Sequence, residues 1–223
     1  MVIKSMKRNF DLIIFDWDGT LSNSTNLITD LILEACSKEQ IVLPSLKQVK
    51  SIIGLDLEQA LCKLLPDYNS LKIKKLQDTY INLYKSKAHN INLFEGVELG
   101  VKELYRKGYI LSIATGGSRR GLNRSLDGSI IKPYFKITKT VDDCFSKPHP
   151  QMILDTINEL MIEPERALMV GDSVFDLQMA DNAKVAALAV TYGSQSLQQL
   201  KEYNSLGYAS DAYEMFEWLR KNG

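Results

Sequence analysis

The residues that could carry chemistry lie in four short segments, and each segment follows an apolar run. The first reads Asp16-Trp17-Asp18-Gly19-Thr20, and the second reads Thr115-Gly116-Gly117-Ser118. The third is the turn Lys147-Pro148-His149-Pro150, and the fourth is Gly171-Asp172-Ser173, with Asp176 four residues after Asp172. Together the segments supply several carboxylates, a hydroxyl, an amine and a glycine-rich turn.

This combination is typical of metal-assisted phosphoryl transfer. A carboxylate such as Asp16 can attack phosphorus and form an aspartyl phosphate, provided that the repulsion between the two anions is cancelled. Oxygens of Asp16, Asp172 and a backbone carbonyl could hold Mg²⁺, which cancels part of that repulsion. Lys147 would add positive charge, and the Thr115 hydroxyl would hold phosphate oxygens. Gly116 lets the backbone approach the phosphate closely.

The spacing of the first two aspartates indicates a second role. Asp18 follows Asp16 by two positions, so an extended chain places both carboxylates on one side while Trp17 points away. One carboxylate can then attack while the other donates a proton to the leaving oxygen and later removes one from water. Asp176 is open to two interpretations, as support for the metal or for Lys147, or as a residue that only caps or pairs on its own helix.

Short apolar runs alternate with amphipathic segments and predict the elements that position these residues. The runs are typical of buried strands, and the segments between them have helical periodicity. Such alternation predicts an α/β fold, a parallel sheet with helices on both faces, in which ligands bind beyond the carboxyl ends of the strands. The predicted strands are Leu12–Phe15, Ile110–Ala114, Phe135–Thr138, Ala167–Val170 and Ala186–Val190. The predicted helices around them are Val97–Lys107, Arg119–Leu126, Pro150–Met161, Ser173–Asn182 and Ala212–Lys221.

Residues 22–92 interrupt this alternation, because they contain amphipathic helical patterns and no convincing strand. We predict an α-helical cap inserted over residues 22–92, and an α/β core formed by residues 1–21 and 93–223. Because the insertion directly follows the first strand, the cap is expected to lie beside the site. Its predicted helices are Leu27–Ser37, Leu46–Ile53, Leu57–Leu65 and Leu71–Lys85.

The composition excludes several classes of function. The 223 residues include 27 Lys+Arg and 27 Asp+Glu, so the net charge of zero gives no electrostatic argument for nucleic acid or an anionic membrane as partner. The three cysteines are widely spaced and odd in number, which argues against a disulfide framework or a zinc site. The apolar run that ends at Asp16 is too short for a signal peptide or a membrane span. We expect a cytoplasmic protein that is a monomer or a homodimer.

The four segments, in this order, resemble the motifs of the haloacid dehalogenase-like hydrolase superfamily. That family pattern is Asp-x-Asp-Gly-Thr, a Ser or Thr, a Lys, and Gly-Asp-x-x-x-Asp. Short stretches of the sequence are also similar to those of phosphoglycolate phosphatase-like proteins, for example Lys-Pro-His-Pro at 147–150 and Leu-Met-Val-Gly-Asp-Ser at 168–173. The resemblance covers essentially the whole chain. It implies a Rossmann-like core with a helical cap, and Mg²⁺-dependent hydrolysis of a small phosphorylated metabolite such as phosphoglycolate.

The resemblance also implies roles for the acidic residues. Asp16 would be the nucleophile and a metal ligand. Asp18 would be the acid and base and would give its backbone carbonyl to the metal. Asp172 would be the third metal ligand, and Asp176 would support the metal shell or Lys147.

For the phosphate group, the resemblance implies binding by Thr115, Gly116 and Lys147. The sequence departs from the family pattern at two positions. Asn23 stands where many relatives have an aspartate, and Gly117 stands where a polar or basic residue is common. Either difference could alter how the phosphate or the cap is held.

Three other functions are alternatives to hydrolysis, and particular residues argue against each of them. A phosphomutase of the β-phosphoglucomutase type would use the same Asp16 and Asp18 and return the phosphoryl group to a sugar, and Thr20 argues weakly against it. Dehalogenases of the family need no metal and lack the second aspartate, so Asp18 argues against this activity. The intact set of charged residues argues against a catalytically idle phosphate-binding module.

Some conspicuous residues receive a structural interpretation. Arg119 and Arg120 are expected on a solvated helix face, and His89 and His149 are expected in turns. The apolar stripes of the cap helices are expected to be packing faces. By analogy alone, the turn Gly54-Leu55-Asp56 could reach over the site.

Overall fold

The computed structural model describes residues 8–87 and 92–223, with a six-stranded sheet at the centre of the described part. The strand order is β3-β2-β1-β4-β5-β6, and every neighbouring pair is parallel. The predicted fold class is therefore confirmed. The strands are β1 Leu12–Phe15, β2 Ile110–Ala114, β3 Phe135–Lys139, β4 Ala167–Gly171, β5 Ala186–Val190 and β6 Tyr208–Ala209.

The central strand β1 is apolar at every position because both of its faces are covered. Ile13 and Phe15 belong to the apolar cluster on one face of the sheet, and Leu12 and Ile14 belong to the cluster on the other face. None of the four side chains is exposed. Phe15 pairs in register with Ile113 of β2 and Val170 of β4 on the two sides. The segments that follow β1, β2 and β4 are therefore brought together at one edge of the sheet.

Along the chain, β1 is followed by a group of four helices. They pack around an apolar cluster of their own, separate from the two clusters that cover the sheet. Two hydrogen bonds join the segments that lead into and out of this unit, from Asn23 N–H to the Asn92 carbonyl (2.9 Å) and from Phe94 N–H to the Leu21 carbonyl (3.0 Å). The helices are α1 Thr25–Lys38, α2 Leu46–Lys50, α3 Leu57–Leu64 and α4 Ser70–Lys87.

This unit agrees with the helical character predicted for residues 22–92, whereas its separation into a domain with those boundaries stays a prediction. Helix α2 ends before the predicted Ile53, because the chain turns at Gly54, whose φ is +106°. His89, expected in a turn, lies outside the described residues.

The six helices from α5 onward that the structure describes cover both faces of the sheet. Helices α5, α6 and α10 pack on one face, and α7, α8 and α9 pack on the other. The two-residue strand β6 and the four-residue helix α9 were not predicted, because such short elements carry no periodic pattern. Within the described ranges, no helix is both long enough and apolar enough to cross a membrane. The helices are α5 Val97–Arg106, α6 Arg119–Leu126, α7 Gln151–Leu160, α8 Val174–Asn182, α9 Leu197–Leu200 and α10 Ala212–Asn222.

Candidate active site

The sheet brings three of the predicted site residues to its carboxyl edge. Asp16 comes directly after β1, Asp172 directly after β4, and Thr115 directly after β2, which pairs with β1 on the opposite side from β4. All three side chains are buried. The edge of a parallel sheet where the strands end is the usual position of a ligand site, so this placement matches the expectation from the sequence.

Lys147 lies within this cluster and is fully buried. Its ammonium group donates hydrogen bonds to Asp16 Oδ1 and, at 2.6 Å, to Asp176 Oδ1. Burial by itself would lower the pKa of Lys147, but the negative charges of Asp16 and Asp176 outweigh burial and hold that pKa above its ordinary value. Lys147 is therefore a fixed positive charge beside the Asp16 carboxylate.

The second oxygen of Asp176 anchors the start of α8. It accepts hydrogen bonds from the Ser173 backbone N–H (3.1 Å) and the Ser173 hydroxyl (2.6 Å). The first of these bonds and a bond from the Asp176 backbone N–H to Ser173 Oγ (3.4 Å) form a capping box. The two interpretations of Asp176 are thus compatible, because one carboxylate caps its helix and holds Lys147 at the same time. Because Lys147 binds Asp16 and an Asp176 side chain that is itself held by Ser173, Lys147 has little freedom to move.

The carboxylates of Asp16, Asp172 and Asp176 each offer an oxygen, and these oxygens lie within 4.8 Å of one another. Asp172 Oδ2 accepts a hydrogen bond of 2.5 Å from the Ser194 backbone N–H. Within residues 8–87 and 92–223, the buried atoms Asp16 Oδ2 and Asp172 Oδ1 have no hydrogen-bond partner. Buried polar atoms are normally paired, so two unpaired carboxylate oxygens in one cluster indicate a ligand that binds oxygen.

The charges of the cluster point to the same conclusion. Three carboxylates surround the single ammonium group of Lys147, so the negative charge exceeds the positive charge. Burial raises the pKa of Asp16 well above its ordinary value, and neighbouring carboxylates add to the effect. Burial, followed by the charge of Asp176, raises the pKa of Asp172 to about 7. A divalent cation would offset this excess, and an all-oxygen donor set fits a hard cation.

Asp18 stands apart from the acidic cluster. Its Oδ1 accepts a hydrogen bond of 2.6 Å from the hydroxyl of Ser24, which directly precedes α1. Burial raises the pKa of Asp18, while the Ser24 hydrogen bond and the charge of Lys147 act in the opposite direction. A Cβ atom placed on Gly117 would lie 3.8 Å from Asp18 Oδ2, so this carboxylate faces the turn after β2.

Gly19 of the first motif has to be a glycine for two reasons. Its φ is +87°, in the left-handed region that side chains rarely adopt. A Cβ atom at this position would also overlap Asp172 Oδ2. The close approach of the turn after β1 to the carboxylate after β4 therefore depends on the absence of a side chain.

The turn after β2 meets the turn before α3 at Gly116. A Cβ atom on Gly116 would overlap the carbonyl oxygen of Gly54 and lie 2.8 Å from that of Leu55. The predicted cap turn therefore contacts the site edge directly, and its Asp56 N–H also donates a hydrogen bond of 3.0 Å to the Ser146 hydroxyl of the core.

Comparison with known proteins decides the family. Residues 13–190 match the model of the family described as "Haloacid dehalogenase-like hydrolase". The chain belongs to this family. The resemblance stated from the four motif segments is confirmed, as is the prediction that the protein is an enzyme.

The hydrolase is similar to several named proteins. It is 29% identical over 196 residues to "Probable phosphatase IndB" of Dickeya dadantii, with 85% of each chain covered. It is also 29% identical over 194 residues to "Pyrophosphatase PpaX" of Bacillus cereus, covering 86% of this chain and 88% of that protein. A predicted phosphoglycolate phosphatase from Haemophilus somnus, 22% identical, has the same fold, with a TM-score of 0.86 over 97% of this chain and 99% of the other.

A cavity of about 430 Å³ opens beside Asp16 and Asp18 of the hydrolase. It lies between the cap helices α1 and α4 and the core helix α6. The cap turn 53–56 and the turn after β2 form part of its wall. Its lining includes Tyr80, Tyr84 and Arg124, which the sequence interpretation did not single out. The two tyrosines lie on a cap helix whose apolar stripe was expected to be a packing face.

Ser194 is another contact that the sequence interpretation missed. Ser194 lies in the segment after β5, and its backbone N–H donates a hydrogen bond to Asp172. The site residues expected from the sequence came from the ends of other strands. Applying the strand-end rule to β5 as well would have found it.

Arg119 and His149, which were expected to have structural roles, both make hydrogen bonds in the structure. Arg119 is not simply on a solvated helix face, because its guanidinium donates hydrogen bonds of 2.6 Å to the Thr138 hydroxyl and carbonyl and also binds Asp143. His149 lies in a turn as predicted, where its Nδ1 accepts a hydrogen bond of 3.2 Å from Gln151 N–H.

Proposed function

We propose that the hydrolase is a Mg²⁺-dependent phosphatase that cleaves a small phosphomonoester, with phosphoglycolate as the reference substrate, through an aspartyl phosphate. The observation that carries this proposal is the buried Asp16 carboxylate, whose Oδ1 is held by Lys147 and whose Oδ2 has no partner in the described part of the chain. A carboxylate fixed in this way is placed to act as a nucleophile. The names of the relatives IndB and PpaX, a phosphatase and a pyrophosphatase, support phosphoryl chemistry.

The residues present fit the metal that this function needs. Asp16, Asp172 and the backbone carbonyl of Asp18 would hold it, since two of the carboxylate oxygens concerned are buried and unpaired in the described residues. When bound, Mg²⁺ neutralises negative charge on the carboxylates and the phosphate. Asp176 would act on the site through its contact with Lys147.

In the first step, a carboxylate oxygen of Asp16 attacks phosphorus, and the bond from phosphorus to the ester oxygen breaks. Asp18 gives its proton to the leaving oxygen, and its raised pKa favours the protonated form that this step requires. The Thr115 hydroxyl and the Lys147 ammonium bind the phosphate oxygens. These contacts stabilise the charge that spreads over those oxygens during transfer.

In the second step, Asp18 removes a proton from the water that attacks the aspartyl phosphate. The new bond joins the water oxygen to phosphorus, and the bond to Asp16 breaks. Orthophosphate leaves, Asp16 is again a carboxylate, and Asp18 is again protonated. The cap turn over Gly116 would limit the entry of other water.

Phosphate release from an aryl phosphate tests the proposal, measured in Mg²⁺ and in EDTA. We expect release in Mg²⁺ only, and its absence in both conditions would refute the phosphatase. A panel with phosphoglycolate, pyrophosphate and sugar phosphates then addresses the substrate. Interconversion of sugar phosphates with little free phosphate would favour the phosphomutase, and phosphate binding without turnover would favour the idle module.

Stabilisation by Mg²⁺ is predicted to be larger at pH 8 than at pH 5. Burial raises the pKa of Asp16 and Asp172 above the ordinary value of an aspartate, to about 7 for Asp172. The metal-free folded state therefore binds more protons than the unfolded state, and its stability falls as pH rises from about 4 to about 7. Mg²⁺ competes with these protons, so at a concentration of about 100 Kd it should raise Tm by about 5–10 °C at pH 8 and by less at pH 5.

Thermal unfolding in EDTA and in excess Mg²⁺ at the two pH values measures this difference. Asp172→Asn is the matched control, because it removes one proposed ligand and should reduce the Mg²⁺-dependent shift. Equal shifts at both pH values in the native protein would contradict the prediction.

Gly116→Ala is predicted to lower kcat/KM by about 10²-fold, because its Cβ would push the cap turn at Gly54 away from the site. Gly121→Ala is the control: it lies in the neighbouring α6, and its Cβ would come only within 3.3 Å of the Ser118 hydroxyl. Phosphate release and Tm are measured for both variants. A loss of activity equal in the two variants would show that the cap contact does not matter.

A further inference from the structure

Two tyrosines on the helix α4 lie next to each other in the lining of the cavity. Tyr80 and Tyr84 are one helical turn apart, with ring centroids separated by 6.0 Å and ring planes inclined by 34°. Both side chains are half-buried and line the cavity that contains Asp16 and Asp18. Neither ring belongs to the buried centre of the cap, since both pack only at the margin of its apolar cluster.

The two rings share one cavity with the proposed reacting groups, Asp16 and Asp18. Burial raises the pKa of Tyr84 to about 12, and the negative charge of Asp18 acts in the same direction. The pKa of Tyr80 is raised by burial, by Tyr84 and by Asp18. The tyrosines and Asp18, the proposed proton donor, line the same cavity, in which the leaving group of a substrate would lie.

The cavity is larger than a two-carbon leaving group needs. Its volume of about 430 Å³ is within the range of roughly 300–1,000 Å³ that is typical of pockets for drug-sized molecules. Apolar side chains line the same cavity as the two rings. These side chains are Ile28, Ile32, Ile53, Ile81 and Leu122.

We propose that the leaving group of the natural substrate carries an aromatic ring that packs against Tyr80 and Tyr84. The inference rests on the proposed phosphatase function and refines its substrate class. Aromatic rings prefer tilted or offset contacts with other rings, and such contacts contribute beyond the burial of area alone. A small acidic leaving group such as glycolate would leave this surface uncovered.

A pair of esters isolates the contribution of the ring. Benzyl phosphate and cyclohexylmethyl phosphate have leaving groups of similar size and acidity, but only the first has an aromatic face. We expect kcat/KM for the native protein to be about 3- to 10-fold higher for the benzyl ester, which is the effect of one well-placed ring contact. The double variant Tyr80→Leu/Tyr84→Leu should bring the ratio of the two esters close to one.

Further variants separate the rings from their hydroxyls and from general effects on folding. Tyr80→Phe/Tyr84→Phe keeps both rings and should keep the ratio. Tyr105→Leu replaces an exposed tyrosine on α5, outside the cavity lining, and should leave the ratio unchanged. Because each ratio is measured within one protein preparation, a partly unfolded variant still reports it.

The failures of the two proposals are distinguishable. If neither these esters nor the aryl phosphate, phosphoglycolate and pyrophosphate release phosphate in Mg²⁺, the phosphatase function is refuted, and this inference with it. If those other phosphates are hydrolysed and neither ester is, the aromatic substrate class alone is refuted. If both esters react at equal rates, or if the leucine variant keeps the native ratio, the aromatic substrate class is refuted while the phosphatase function stands.

Discussion

Replacement of Asp16 by asparagine is expected to lower phosphate release by about 10⁴-fold or more, the scale seen when an enzyme loses its nucleophile. The amide has nearly the shape of the carboxylate, but it cannot form the acyl phosphate through an anionic oxygen. The Asp16 side chain is buried and bound to Lys147, so solvent cannot readily supply a substitute nucleophile at that position. The measurement is phosphate release from an aryl phosphate in excess Mg²⁺.

Asp30→Asn is the matched control, because Asp30 is an exposed aspartate of the cap helix α1 and the change in charge is the same. It should retain native activity. Acid quenching of the native protein with a substrate labelled at phosphorus should leave label on the protein, and Asp16→Asn should carry none. Native rates in Asp16→Asn would remove this residue from the nucleophile role.

Replacement of Lys147 by methionine is expected to lower the free energy of unfolding of the metal-free protein by about 3–5 kcal/mol, the usual cost of breaking a buried ion pair. Methionine fills a similar volume, so the loss reports mainly on charge. It leaves the carboxylates of Asp16 and Asp176 without their shared ammonium partner. Activity should fall as well, because the phosphate loses a proposed positive contact.

The same variant has a predicted dependence on pH. Without Lys147, the pKa values of the buried carboxylates rise further, since that charge lowers the pKa of both Asp16 and Asp172 in the native protein. The folded variant then binds still more protons than the unfolded chain, and its stability decreases as pH rises. The loss relative to the native protein should therefore be larger at pH 8 than at pH 5.

Urea unfolding in EDTA at both pH values measures these differences. Lys221→Met is the control, because Lys221 forms an exposed ion pair with Glu217 on α10 at 2.5 Å. Such surface pairs contribute about 0–1 kcal/mol, so this variant should remain close to the native protein. Equal losses in the two variants would show that the buried ion pairs of Lys147 contribute no more to the free energy of unfolding than an exposed ion pair does.

The strands could be predicted because their environment leaves a simple pattern. Strands β1, β2 and β5 have the predicted bounds, and β3 and β4 extend one residue beyond them. A strand covered on both faces is apolar along its whole length, and turn residues mark where it ends. The two-residue β6 lacks such a run, and its pairing with β5 depends on the fold around it.

The sequence by itself determined the α/β class, the helical insertion and the four segments with candidate site residues, because these depend on residue types and on spacing within one element. Only the tertiary structure decided which atoms meet. Lys147 binds a carboxylate 131 positions away, and Ser194 binds Asp172 across the ends of two strands. Contacts of this kind follow from the order of strands in the sheet. They also follow from the packing of the four-helix unit beside the sheet, which places Tyr80 in the lining of the cavity, and local patterns carry no information about either.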